Sequence, residues 1–331
     1  MSLSLEQLIA YLNRIGLDAQ HGLPPPTLET LTKLQSNHVH EVSFENLSLL
    51  VPSFREQDVT PAGLKLDVPS LFRKVVVRRR GGYCFELNTL FAALLSGLGY
   101  TVRTGAARVV LDGVQLESRW DHYTDFSGQK RYLMTTHDHM VLFVSGGALP
   151  PGEAYLADVG FGGNTPTHPV LLPPRDFLLA QPPDFGPPPD PTTYAFRVRW
   201  GVCGTPRPAV ATDIDQGYYL QVWANRGSIG QGHWCDLYYF TLAPYGPMDY
   251  TAANFFTSCF PESAFTKGPF CSRPDGMGGR ITLFNGQLKH RDSAGVSQAR
   301  GVGPGGLPVR EVLSSTFDIH VAGEPIMGCE L

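Results

Sequence analysis

Along the first hundred positions, apolar residues recur with a helical period. Leu5, Leu8, Ile9 and Leu12 fall at the i, i+3, i+4, i+7 spacing that lines one helix face, and Ser4 is placed to cap the start. Pro24, Pro25 and Pro26 interrupt the chain before Leu28, Leu31 and Leu34 resume the period. Asp67 and Pro69 mark another helix entry, with Leu71, Phe72, Val75 and Val76 as its buried stripe. A fourth stripe, Leu87, Leu90, Phe91, Leu94 and Leu98, runs out at Gly97 and Gly99. Residues 1–99 therefore read as a helical bundle.

After Tyr100 the period shortens to that of strands. The runs are Tyr100–Val110, Arg131–Met134, Met140–Val144, Ala154–Val159, Tyr194–Trp200 and Tyr218–Trp223, and their spacing predicts a barrel or strongly bent sheet over 100–226. Two stretches between them, Asp112–Lys130 and the proline-rich Pro173–Pro191, read as excursions over the surface. Residues 227–331 mix a strand-like Arg280–Phe284 with a short helix at Val309–Leu313 and read as a smaller mixed unit. The fold class is α+β.

Composition narrows the function more than the fold. Hydrophobic residues make up 42 % and charged residues 17 % of 331, with a formal net charge of −4. That argues against disorder and against nucleic-acid binding. No run approaches the roughly 18 apolar residues of a membrane span. The six cysteines include no CxxC pair and the start shows no targeting segment, so a cytoplasmic, reduced protein is expected.

One string carries chemistry. In Arg80-Gly81-Gly82-Tyr83-Cys84-Phe85-Glu86-Leu87-Asn88, two glycines deliver a cysteine to the first turn of an apolar-striped helix. The N–H groups and macrodipole at such a position favour a thiolate, the reactive form of the residue. A tight turn has no structural need of a thiol, which weighs against a buried, inert cysteine. A nucleophile of this kind needs a base and an orienting acceptor. His139 opens the apolar run His139-Met140-Val141-Leu142-Phe143-Val144, and Asp158 ends Tyr155-Leu156-Ala157-Asp158 before a glycine-rich turn. A carboxylate inside such a run asks for a partner, and His139 is the economical one.

These motifs, with Phe44-Glu45-Asn46-Leu47 and Asp158-Val159-Gly160-Phe161-Gly162 in the same order, resemble the arylamine N-acetyltransferases over roughly residues 1–290. The resemblance implies a helical bundle, a β-barrel and an α/β lid, with a Cys-His-Asp triad like that of cysteine proteases. It implies Cys84 as the acyl-accepting nucleophile, His139 as the base and Asp158 as its orienter. Acyl-CoA, with an acetyl, propionyl or malonyl group, would be the donor substrate rather than a tightly bound cofactor, and an aromatic amine or hydrazine the acceptor. Thr135 and Thr136 fall where the family contacts the pantetheine arm. Phe161 and Gly162 match the motif beside the acceptor pocket, and Phe265 would come from the lid. The alternatives are a papain- or transglutaminase-like cysteine hydrolase and a catalytically inactive binding protein.

Several features stand apart from this pattern. Asp112–Lys130 lengthens the Cys84 to His139 interval beyond what the family leads one to expect. His137, two residues before His139, would share its side of a strand and is a second candidate base. Arg80 and Glu45 read as an ion pair bracing the cysteine turn. Arg73, Lys74, Arg78, Arg79 and Arg80 read as a solvated basic helix end. Neither His137 and His139 with Cys84, nor His233 with Cys235, supplies four ligands at zinc spacing, so no metal is expected.

Overall fold

The computed structural model of the chain describes residues 3–19, 22–111, 122–124, 130–179, 195–205, 210, 214–224, 232–323 and 325–327. The first hundred positions contain α1 (Leu5–Arg14), α2 (Leu28–Glu41), the two-residue strand β1 (Phe44–Glu45), α3 (Pro52–Asp58), the strand pair β2 (Val59–Thr60) and β3 (Gly63–Leu64), α4 (Val68–Phe72) and α5 (Cys84–Gly97). Ser4 and Gln7 cap α1 reciprocally at 3.2 and 3.0 Å, and Asp67 Oδ1 accepts from Ser70 N at 2.9 Å ahead of α4. Helix α3, Pro-Ser-Phe-Arg-Glu-Gln-Asp, has no apolar stripe and escapes a reading based on period.

α4 runs into a π-helical turn, Arg73–Val77, closed by the Arg78 N–H on the Arg73 carbonyl at 2.9 Å. The wide turn sends Lys74, Val75 and Val76 inward in succession. Lys74 is 2 % exposed and Arg80 5 %, which corrects the expectation of a solvated basic end; Arg73 and Arg79 alone of that cluster are exposed. Arg14 braces the turn from α1, its Nε donating to the Val75 carbonyl at 3.1 Å and Nη1 to the Glu41 carbonyl at 2.8 Å. Arg79 then takes a left-handed φ of 53° and swings the chain into Arg80-Gly81-Gly82.

The middle of the chain supplies β4 (Thr101–Val109), β5 (His122–Thr124), β6 (Lys130–Tyr132), β7 (His139–Ser145), β8 (Tyr155–Ala157), β9 (Val170–Leu171), α6 (Arg175–Leu179), β10 (Phe196–Val202), β11 (Gln216–Ala224) and β12 (His233–Phe240). Seven of these strands form one antiparallel sheet in the order β10-β11-β12-β4-β7-β8-β9. Its edges β9 and β10 approach each other, so the sheet curls into a nearly closed barrel. β12 is absent from the runs read above, yet it joins the two halves of the barrel by pairing with both β11 and β4. Strand alternation divides the core. Ala106, Met140, Leu142 and Val144 face the helices, while Ala107, Val141, Phe143 and Leu156 face the barrel interior. Burial on both faces explains why β7 reads as a continuous apolar run.

Beyond Phe240 lie α7 (Pro247–Cys259), α8 (Ala264–Lys267), β13 (Cys271–Pro274), β14 (Arg280–Phe284), β15 (Gln287–Arg291), β16 (Ser297–Gly301) and α9 (Val309–Phe317). The sheet here is ordered β1-β13-β14-β15-β16, so Phe44 and Glu45 from the helical segment form its first strand. Asp112–Lys130 is described only at 122–124 and 130, where β5 pairs with β6, and Pro173–Pro191 only through residue 179. The remainder of both lies outside the described residues.

Candidate active site

The turn that carries Cys84 is pinned from below. Glu45 N donates to the Gly82 carbonyl at 2.8 Å, and Glu45 Oε1 pairs with Arg80 Nη2 at 2.8 Å. Gly81 packs so closely that a Cβ there would lie 1.9 Å from the Ser43 carbonyl oxygen, which accounts for the glycine. Glu86 serves the turn twice: Oε2 accepts from Tyr83 N at 3.1 Å, capping α5, and Oε1 meets Lys74 Nζ at 2.7 Å. Glu45, Arg80, Lys74 and Glu86 thus form a buried quartet of two anions and two cations. Burial favours the neutral carboxyl at both acids. At Glu45, Arg80, Lys74 and the Leu47 N–H outweigh it and hold the carboxyl below its ordinary value. At Glu86 burial wins over Lys74 and the carboxyl is raised.

Cys84 opens α5 and is 5 % exposed; its Sγ lies 3.6 Å from the Asp138 carbonyl oxygen. That carbonyl immediately precedes His139, the first residue of β7, whose alternation places its ring on the Val141 face. Asp158 follows β8 in line with the same face, and His139 Nε2 lies 2.7 Å from Asp158 Oδ2. Nδ1 is then the ring nitrogen left for the sulfur. Burial alone would lower the imidazole, but the Asp158 carboxylate, its hydrogen bond and the Cys84 sulfur reverse this and hold it up to about 10. Burial likewise works against the Asp158 carboxylate, and His139, Asn88 and the Gly160 N–H overcome it and hold the group below its ordinary value.

Asp158 is fully buried, with a complete set of donors. Asn88 Nδ2 donates to its Oδ1 at 3.0 Å and to the Met140 carbonyl at 2.8 Å, while Asn88 Oδ1 accepts from Val159 N at 3.0 Å. Gly160 N adds a bond to Oδ1 at 2.9 Å, and the Tyr238 hydroxyl donates to Oδ2 at 3.1 Å. Gln35 Nε2, from α2, holds the Asp158 carbonyl at 3.3 Å and that of Pro166 at 2.9 Å. Asn88 closes the Arg80–Asn88 string, whereas Tyr238 and Gln35 carry no sequence signal.

The other residues singled out divide into two groups. Phe161 lies beside the His139 and Tyr238 rings, each centroid 4.8 Å away. Phe265 packs with Phe44, Tyr83 and Phe270 at 6.1, 5.7 and 5.9 Å, and Gly162, at φ +63°, lies against Phe44 and Phe270. Asn46 fixes that aromatic cluster by donating to the Phe265 and Gly268 carbonyls at 2.8 and 2.9 Å and accepting from Phe270 N at 2.8 Å. The Thr135 hydroxyl is engaged within its loop, donating to Asp138 Oδ1 at 2.5 Å, and Thr136 is exposed. His137 precedes the strand instead of belonging to it; it is exposed, packs on Tyr245 at 5.5 Å and does not share His139's place. A fixed acid-imidazole pair beside a cysteine at a helix start can move a proton to and from a sulfur nucleophile.

Comparison with known proteins covers most of the chain. Residues 27–183 and 212–326 match the N-acetyltransferase family profile. The chain is 32 % identical over 262 residues to an arylamine N-acetyltransferase of Mycobacterium tuberculosis, covering 79 % of this chain and 72 % of that one. It is 28 % identical over 300 residues to an arylamine N-acetyltransferase of Escherichia coli, covering 91 % and 85 %. Among solved structures, Mycobacterium marinum arylamine N-acetyltransferase in complex with CoA matches with a TM-score of 0.67 at 27 % identity, covering 94 % of this chain and 92 % of that one. Among the described residues, no helix is long and apolar enough to cross a membrane.

Proposed function

Because the chain belongs to the arylamine N-acetyltransferase family, we propose that it transfers an acyl group from acyl-CoA to an aromatic amine or hydrazine through a thioester on Cys84. The observation that carries the reading is the 2.7 Å contact between His139 Nε2 and Asp158 Oδ2, with the Cys84 sulfur close to the same ring.

In the resting site His139 is an imidazolium that holds the Cys84 thiolate, and Asp158 stabilises that charge. The thiolate attacks the thioester carbonyl of acyl-CoA; the bond to the CoA sulfur breaks, and the departing CoA thiolate takes the imidazolium proton. Exchange of one thioester for another is nearly balanced in energy, so the acyl group stays reactive towards nitrogen. An amine then attacks the Cys84 thioester carbonyl and gives its proton to the neutral His139. Collapse of the adduct expels the Cys84 thiolate and restores the starting ion pair. The side of Phe161 next to His139 offers an aromatic wall to the acceptor ring.

Similarity to arylamine N-acetyltransferases favours transfer to an amine over hydrolysis. The test is incubation with acetyl-CoA and an arylamine, followed by intact-mass analysis. Expected results are acetylarylamine, a 1:1 acetyl adduct in the absence of amine, and loss of both in Cys84→Ala. Peptide cleavage without an adduct would reverse the assignment. Repeating the assay with propionyl- and malonyl-CoA ranks the donors.

A further inference from the structure

Arg108 lies one residue before the end of β4, opposite Tyr239 of β12. Alternation along β4 puts its side chain on the Ala106 face, and Ala106 pairs with Met140 on the side that packs against α5. Its Nε donates to the Thr135 carbonyl at 2.9 Å. The same loop ends at Asp138, whose carbonyl oxygen lies 3.6 Å from Cys84 Sγ. The guanidinium is therefore oriented by one bond at the level of the nucleophile, while its two terminal amino groups have no hydrogen bond or ion pair among the described residues. His137, packed on Tyr245, shares this corner, and the Arg108 charge acts on both of them. The nearby Asp138 attracts the guanidinium but makes no ion pair with it among the described residues, and its Oδ1 is taken by the Thr135 hydroxyl. A planar cation held at Nε with its outer fork open matches the geometry of an oxyanion.

We propose that Arg108, with Thr135, His137 and Tyr245 around it, is an oxyanion subsite for the acyl donor. The group gripped is either a phosphate of CoA or a carboxylate at the far end of a dicarboxylic acyl chain. The inference rests on the acyl-CoA reading above and adds to it a named contact on the donor.

The experiment is single-turnover acylation of Cys84, followed by mass, in the full chain and its Arg108→Gln and Arg108→Lys variants. The donors are acetyl-CoA, malonyl-CoA and acetyl-pantetheine, the last carrying neither phosphate nor carboxylate. In Arg108→Gln the half-saturating concentration should rise about ten- to a hundredfold for donors bearing the gripped anion, as expected for a lost charge-assisted hydrogen bond. The maximal rate should change much less, and acetyl-pantetheine should shift less than about threefold. Arg108→Lys, which keeps the charge without the fork, should fall between. An equal shift for both CoA esters assigns the phosphate, and a shift for malonyl-CoA alone assigns the carboxylate. Equal losses for all three donors, or a fall in maximal rate at unchanged half-saturation, would mean that Arg108 only braces the 135–138 loop and would overturn the proposal. Unchanged saturation with every donor would do the same. If no donor acylates the wild-type chain, the acyl-transfer reading itself fails, which is a separate result.

Discussion

The Tyr238 hydroxyl donates to Asp158 Oδ2 at 3.1 Å, the same oxygen that holds His139 Nε2 at 2.7 Å. Burial and the Asp158 charge push the phenol well above its ordinary range, so Tyr238 stays a donor. Tyr238→Phe should lower stability by about 1.5–3 kcal/mol, the worth of a hydrogen bond to a buried charge. Urea unfolding measures this, and Cys84 acylation should slow by less than about tenfold because His139 keeps its partner.

Asp158→Asn tests the imidazolium. His139 is held up to about 10 in the fold, against an ordinary value of 6.5. Its stabilising contribution is therefore fully present below about pH 6.5 and is lost as the pH rises through about 10. In the Asn variant burial and the Cys84 sulfur remain while the carboxylate charge is gone, so His139 should titrate well below its value in the wild-type fold. NMR of the His139 ring follows the shift, and acylation of Cys84 should fall on the order of a thousandfold or more. Unchanged titration would count against Asp158 as the source of the raised value.

Lys74→Met leaves Glu86 and Glu45 facing each other across a buried site without one of their two cations. The expected cost is about 3–5 kcal/mol, read from denaturant midpoints. Lys74→Met combined with Glu86→Gln should recover much of it, because the uncompensated charge is then removed. A double variant no more stable than Lys74→Met would show that the pair is not energetically coupled.

Gly160 backs directly onto Cys84: a Cβ there would lie 2.6 Å from the Cys84 Cα. Gly160→Ala must displace the start of α5 or the turn after β8, and overpacking of this kind costs about 1–3 kcal/mol. Acylation should fall more steeply than stability, since small displacements of reacting groups are expensive. Thermal melts and single-turnover rates measured side by side separate the two effects.

The parts of this arrangement that were legible in the sequence are those with a local cause. The α5 stripe, the glycines before Cys84 and the apolar run after His139 each announce themselves within a few residues. What escaped depends on distant pairing. Strand β16 is exposed at all five positions and carries no alternation to detect. Tyr238 reaches Asp158 from 80 residues away, through a register set by β4 and β12. The basic neighbours of Lys74 suggest solvent, whereas the π-helical turn rotates it inward onto Glu86. Glu45 and Arg80 were legible as a pair, but their place in a four-charge cluster was not.

Asn88 touches two strand-end segments at once, reaching Met140 and Asp158 across sequence separations of 52 and 70 residues. Contacts of that range close late, because chain entropy must be overcome before they contribute. The helices can regain their secondary structure by short-range interactions well before the three chain segments meet. The proposed acylation of Cys84 would thus report completed folding: on refolding from urea it should return with the slowest phase of tertiary assembly, behind the far-ultraviolet helical signal.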